Sequence, residues 1–301
     1  MPHDLIILDG GFSRELERLG APFRQPEWSA LALMETPEIV EQAHSAFINA
    51  GAEVITTNSY AVVPFHIGED RFARDGRRLI ELSGTLARSA ADKHPGVRVA
   101  GCIPPLFGSY QPQDFDAERA PALLAEFVGG LAPHVDLWLI ETTSSIAEMA
   151  AAAEATASAP KPLWVAYTLD DDSEETDAPR LRSGEAVRDA AAAAARCGAE
   201  AVLFNCSVPE VMEAALQEAR SALPVSIRIG VYANAFGKPA SGMAANEGLS
   251  AMRRDLDPPA YVAWARKWRD MGASIIGGCC GIGASHIEVL ARALKDADQS
   301  S

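Results

Sequence analysis

The chain has 301 residues, 48% of them apolar and 22% charged, and a formal net charge of −15. That length is enough to bury one sizeable core. An acidic chain without clustered Lys and Arg excludes a nucleic-acid surface, and no run approaches the roughly 18 uninterrupted apolar residues of a membrane span. Met1-Pro2-His3-Asp4 places no basic region ahead of the first apolar run, unlike a signal peptide. Five cysteines, an odd number scattered through a large chain, argue against a disulfide framework and for a reducing cytoplasm.

In chain order, short apolar runs recur at Leu5 to Leu8, Glu53 to Thr57, Val97 to Cys102, Val135 to Glu141, Leu163 to Thr168, Ala201 to Asn205, Val225 to Tyr232 and Ser274 to Gly277. Helical patterns separate most of them. The first full one, Pro37 to Ala50, takes Thr36 as its expected N-cap and stops at Gly51. Others run over Asp70 to Lys93, Ala117 to Ala132, Ser145 to Ser158, Glu185 to Cys197, Pro209 to Ala222, Pro258 to Met271 and Ser285 to Ala297. Strands apolar throughout belong to a parallel sheet covered on both faces. Eight strand–helix repeats predict a closed (β/α)8 TIM-type barrel, with a doubly wound open sheet as the structural alternative. No domain boundary is evident, so residues 1–301 are read as one domain. Two longer segments, Asp170 to Arg182 and Ala235 to Asp257, leave what would be the C-terminal end of the barrel, where long loops wall or cover a site.

The stretch Ser274-Ile275-Ile276-Gly277-Gly278-Cys279-Cys280-Gly281 reads as a buried strand running into two adjacent thiols between glycines. Vicinal cysteines make a strained disulfide, and two thiolates on one metal are a better use of them. Zinc takes four ligands. The best third candidate is Cys206, which ends the apolar run Leu203-Phe204-Asn205. Three protein thiolates would leave one position open for a substrate, the mark of a catalytic site. Such an electron-rich zinc suits a bound substrate thiolate attacking an electrophilic carbon, with no dedicated general base.

Active sites of these barrels lie at the C-terminal ends of the strands. Those ends carry Asp9-Gly10-Gly11, Thr56 to Tyr60, Cys102, Glu141-Thr142-Thr143, Asn205-Cys206, Tyr232-Ala233-Asn234 and Cys279-Cys280. Asp9 and Glu141 together are expected to hold an ammonium group. Backbone N–H groups around Gly10, Gly11 and Phe12, opening a short helix, are expected to hold a carboxylate. Cys102 reads as a small apolar filler, Cys197 as a helix-end packing residue and His44 as a satisfied structural histidine. Trp28, Tyr60, Phe65 and His66 are candidate pocket walls, since aromatic faces attract sulfonium and ammonium cations.

These residues resemble the zinc-dependent homocysteine S-methyltransferase family. The resemblance covers nearly the whole chain, through Leu8 to Phe12, Trp28-Ser29-Ala30, Thr36-Pro37-Glu38, Ala50 to Tyr60, Glu141-Thr142, Asn205-Cys206 and Gly277 to Gly281. It implies a (β/α)8 barrel with Zn2+ on Cys206, Cys279 and Cys280. It also implies homocysteine as acceptor, its amino group on Asp9 and Glu141 and its carboxylate on the Asp-Gly-Gly turn, with Asn205 among the substrate-binding residues. Methyl transfer from a small donor would give methionine. The expected partners are therefore homocysteine and that donor, with neither nucleic acid nor membrane, and assembly of several copies is left open.

The chain departs from the family pattern in three places. Gly281-Ile282-Gly283-Ala284-Ser285-His286-Ile287 lacks the frequent Thr-x-Pro, and Ala61 to His66 replaces a Gln-rich continuation. Thr142 stands where betaine enzymes carry Tyr. S-Methylmethionine is therefore the favoured donor, ahead of S-adenosylmethionine and betaine. No cobalamin or folate module is recognised, so a complete cobalamin-dependent synthase is not expected. The alternatives are methylation of selenocysteine or another thiol, and an inactive metal- or redox-responsive binding protein on the same scaffold.

Overall fold

The computed structural model describes residues 3–171, 178–236 and 253–298. Eight strands form one parallel sheet: β1 (Ile6–Ile7), β2 (Val54–Thr56), β3 (Arg98–Ile103), β4 (Leu137–Thr143), β5 (Leu163–Tyr167), β6 (Ala201–Asn205), β7 (Arg228–Tyr232) and β8 (Ala273–Ile276). Each strand pairs with its sequence neighbour, and β1 pairs with β8 in the register Ile6 to Ile275. The ring closes just beyond β1 through a parallel bridge from Leu8 to Val54. The Asp9 N–H donates to the Val54 carbonyl at 3.1 Å, and the Glu53 N–H to the Ile7 carbonyl at 2.8 Å. This is the (β/α)8 barrel that the repeat pattern predicts.

The two-residue alternation of a strand explains why apolar residues fill it throughout. Leu137, Leu139, Trp164, Ala166, Ala201 and Leu203 point into the barrel and pack with Leu8, Val54 and Ile275. Their neighbours Trp138, Ile140, Val165, Val202 and Phe204 point out into a second core beneath the helices. Both faces are dry, so no polar stripe marks either one.

Differences from the predicted elements have local causes. β7 begins at Arg228 rather than Val225, because Pro224 to Ile227 forms a turn and Val225 is 70% exposed. The pattern from Pro209 begins as a 3-10 turn, Pro209–Val211, before the helix Met212–Ala222. Helix Ser29–Glu35 was not expected. It spans only seven residues, and Ser29 to Leu33 are all buried, so it shows no amphipathic stripe to read. Thr36 precedes helix Pro37–Asn49 but does not cap it: no side-chain cap bond forms, and its buried hydroxyl has no partner among the described residues. Among the described residues no helix is long and apolar enough to cross a membrane.

Candidate active site

The double-cysteine loop is fixed by backbone contacts on both sides. The Gly278 N–H donates to the Asp9 carbonyl at 3.0 Å, and the Cys279 N–H to the Ala233 carbonyl at 2.9 Å. The Ala235 N–H reaches the Cys280 carbonyl at 2.8 Å, and the Tyr261 hydroxyl reaches the Gly277 carbonyl at 2.7 Å. The loops after β1, β7 and β8 are thereby sewn together. A Cβ added at Gly11 would lie 2.4 Å from the Cys279 carbonyl oxygen, and one at Gly10 2.3 Å from that of Ile282. Here Asp-Gly-Gly serves close backbone approach, the use of glycine that admits no side chain.

Cys206 follows β6 with φ 50°, a left-handed conformation uncommon for a residue bearing a Cβ. Its carbonyl accepts from the Tyr110 hydroxyl at 3.3 Å. The sulfurs of Cys206, Cys279 and Cys280 all lie within 4.8 Å of one another, and those of Cys206 and Cys279 are in direct contact. Three sulfurs sharing a tetrahedral zinc at about 2.3 Å each would be spaced by about 3.8 Å; the gathering within 4.8 Å admits that spacing, while Cys206 and Cys279 are drawn closer than that, as a disulfide pair. Desolvation, with Glu141 nearby, pushes the Cys280 thiol up to about 11. Cys280 is itself exposed, and a bound cation would favour its thiolate.

The predicted amine site lies beside the thiols. Asp9 is 4% exposed, and its carboxyl oxygens accept from the Thr56 N–H at 2.7 Å and the Thr56 hydroxyl at 3.1 Å. Burial, countered by Thr56 and reinforced by Glu141, pushes Asp9 up to about 8. Burial also raises Glu141, opposed by hydrogen bonds from Cys102 and Tyr232. Cys102 Sγ lies 3.0 Å from Glu141 Oε2. Cys102 is fully buried, as its reading as filler near the mouth expects, and in addition contacts the Glu141 carboxyl. Only its position at a strand end signalled this in the sequence. Asn205 is fully buried; its Nδ2 donates to the Thr142 hydroxyl at 2.7 Å, and its Oδ1 has no partner among the described residues. Thr142 is also left-handed, with φ 57°, so this bond ties together two unusual strand-end turns.

At the Asp-Gly-Gly turn, the Gly11 N–H donates to the Ile282 carbonyl at 2.8 Å. One of the amides expected to face a carboxylate is therefore engaged. Phe12 opens helix Phe12–Arg18 and turns its ring onto His44, 4.5 Å between centroids.

Of the proposed aromatic walls, Tyr60 stands at the mouth: its hydroxyl pairs with the Ser109 hydroxyl at 2.8 Å, with Tyr110 and Glu141 as neighbours. His66 is held away by the Pro26 carbonyl, 2.9 Å from its Nδ1, and stacks near Phe65. Trp28 packs edge-on to Phe23 at 5.2 Å. His44 is structural but not satisfied: it is fully buried, neither ring nitrogen has a hydrogen-bond partner among the described residues, and burial lowers its pKa to about 3. Cys197 is exposed at the end of helix Val187–Arg196 rather than packed. In the two long loops, residues 172–177 and 237–252, with Gly237, Pro239, Gly242 and Gly248, lie outside the described residues.

Fold and site together define the class: a (β/α)8-barrel enzyme whose mouth sets three thiols beside a buried and a half-buried carboxyl. The profile of the family described as homocysteine S-methyltransferase matches residues 6–294. The chain belongs to the homocysteine S-methyltransferase family. It is 27% identical to homocysteine S-methyltransferase 1 of Arabidopsis thaliana, across 96% of this chain and 93% of that one. It is 25% identical to the selenocysteine methyltransferase of Astragalus bisulcatus, across 91% and 88% of the two chains. The crystal structure of the metallated homocysteine methyltransferase MmuM from Escherichia coli superposes with a TM-score of 0.77 at 28% identity, over 97% of this chain and 96% of that one.

Proposed function

We propose that the chain transfers a methyl group from a small sulfonium or ammonium donor, S-methylmethionine being favoured, to the thiol of L-homocysteine, giving L-methionine. The observation that carries this reading is the gathering of the Cys206, Cys279 and Cys280 sulfurs within 4.8 Å, beside buried Asp9 and half-buried Glu141. In this reading the three cysteines hold Zn2+, which when bound keeps the substrate sulfur deprotonated yet nucleophilic.

The chain's own residues do the rest. Asp9 and Glu141 receive the substrate ammonium, whose positive charge compensates for burying two carboxylates. Thr56 fixes the Asp9 carboxyl from two sides, and Cys102 orients Glu141. Asn205 offers its unpaired buried carbonyl oxygen to a substrate N–H. The remaining amides of the Gly10-Gly11-Phe12 turn face the carboxylate. Holding both ends of the amino acid aims its sulfur at the donor methyl, a gain from positioning alone. The new sulfur–carbon bond forms as the donor's carbon–heteroatom bond breaks, and the bonding pair leaves with the neutral donor product.

The test is turnover. Purified protein reconstituted with zinc is supplied with homocysteine and S-methylmethionine, betaine or S-adenosylmethionine, and methionine is quantified. Methionine formed fastest from S-methylmethionine is expected; none from any donor would overturn the reading. Competition between homocysteine and selenocysteine for one donor separates the second acceptor, for which the Astragalus relative speaks. We further take the chain to act as a single domain in the cytoplasm.

A further inference from the structure

Cys206 keeps its left-handed backbone without glycine's freedom. Such a conformation costs on the order of 1–3 kcal/mol and persists where its surroundings over-determine it. Here the surroundings come from strands that contribute no cysteine to the group. Tyr110, in the loop after β3, gives its hydroxyl hydrogen to the Cys206 carbonyl at 3.3 Å. The Thr168 hydroxyl, just past β5, approaches the same carbonyl at 3.5 Å. One side chain joins them: the Arg182 guanidinium lies 4.2 Å from the centroid of the Tyr110 ring, and its Nε donates to the Thr168 hydroxyl at 3.1 Å. Arg182 is itself anchored by an ion pair to buried Asp171, Nη2 to Oδ2 at 2.9 Å. The other Asp171 oxygen accepts from the Val208 N–H at 3.4 Å, two residues beyond Cys206.

We infer that Tyr110 and Arg182 are positioning residues for the thiol group: they lock the Cys206 turn so that its sulfur meets those of Cys279 and Cys280. The inference rests on the zinc-thiolate reading above. Asp171 and Arg182, the described residues at the two ends of the segment after β5, are thereby joined to the Cys206 turn. Side chains that orient ligands from the layer behind them typically change metal affinity by about 10–100-fold when removed.

The experiment is a competition titration of zinc between a chromogenic chelator and the full chain, under reducing conditions, for the wild type, Tyr110→Phe and Arg182→Met. Tyr110→Phe keeps the ring under the guanidinium and removes only the hydroxyl. Its zinc affinity is expected to fall about tenfold, with an unchanged thermal midpoint for the zinc-free chain. Arg182→Met is expected to fall at least as far. Wild-type zinc binding with Tyr110→Phe and Arg182→Met within twofold of it would overturn the positioning role and leave the proposed function intact. A wild type that takes up no zinc would instead overturn the zinc reading and this inference with it. Should Arg182→Met not fold, the Tyr110→Phe titration decides alone.

Discussion

Cys102, on β3, places its sulfur 3.0 Å from Oε2 of Glu141 on the adjacent strand β4. A thiol is a weak donor, but this contact joins a residue that looked like packing to the carboxyl at the centre of the mouth. Burial and the neighbouring Glu141 push the Cys102 thiol far up, so it stays protonated and able to donate. Cys102→Ala should raise the homocysteine KM about fivefold, the equivalent of about 1 kcal/mol for one modest hydrogen bond, with zinc content unaltered. Cys102→Ser, which keeps a donor, should recover most of that loss. Steady-state kinetics on both variants decide it, and equal KM values for Ala and Ser would remove the hydrogen bond from the account.

The thiol group makes a stoichiometric demand. Protein purified under reducing conditions should carry one zinc per chain. Cys206→Ser, Cys279→Ser and Cys280→Ser should each lose the metal and the turnover together, because two remaining thiolates fall short of the three protein ligands of a catalytic zinc site. Metal analysis beside an activity assay tests this, and a variant that keeps turnover without metal would refute the mechanism.

If Asp9 receives the substrate ammonium as proposed, it ties substrate binding to pH. Burial pushes its carboxyl up to about 8 in the folded chain, against an ordinary value of 3.8. The folded state therefore retains a proton that the unfolded state has lost between those values, so this residue's contribution to stability is full below about 4 and lost as pH rises toward 8. In the ligand-free protein, Asp9→Asn should raise the thermal midpoint more at pH 8 than at pH 5. Homocysteine binding should do the reverse: the ammonium needs an ionised Asp9, so affinity should climb toward pH 8 in the wild type and flatten in the variant. Parallel binding profiles for the two proteins would remove Asp9 from the amine site.

Gly11 tests why the Asp-Gly-Gly turn is written with glycines. A Cβ there would sit 2.4 Å from the Cys279 carbonyl oxygen, a backbone atom that cannot swing aside. Gly11→Ala should cost about 1–3 kcal/mol in stability from overpacking and weaken zinc binding, because the loop it displaces carries two of the three thiols. Denaturant unfolding and a chelator titration measure the two effects; an unchanged zinc affinity would separate the turn from the metal loop.

The sequence by itself determined the architecture, because eight dry strands alternating with amphipathic helices leave a closed parallel barrel as the economical solution. It also pointed to the proposed chemistry: Cys279-Cys280 between glycines is hard to explain as packing, and a barrel brings every strand's C-terminal residue to one face. Asp9, Glu141 and Cys206 were therefore nameable as candidates from position, and Asn205 from the family resemblance. Short buried helices such as Ser29–Glu35 were not, since a segment buried all round shows no periodicity. Only the tertiary structure decided which side chains lean on which. That Cys102 serves Glu141, that the Gly11 amide is taken by Ile282, and that Tyr110 and Arg182 brace the Cys206 turn all depend on contacts between distant segments. Hydrogen bonds of a few ångströms between residues tens of positions apart leave no periodic mark on a chain; they exist only once the barrel has closed and set its loops side by side.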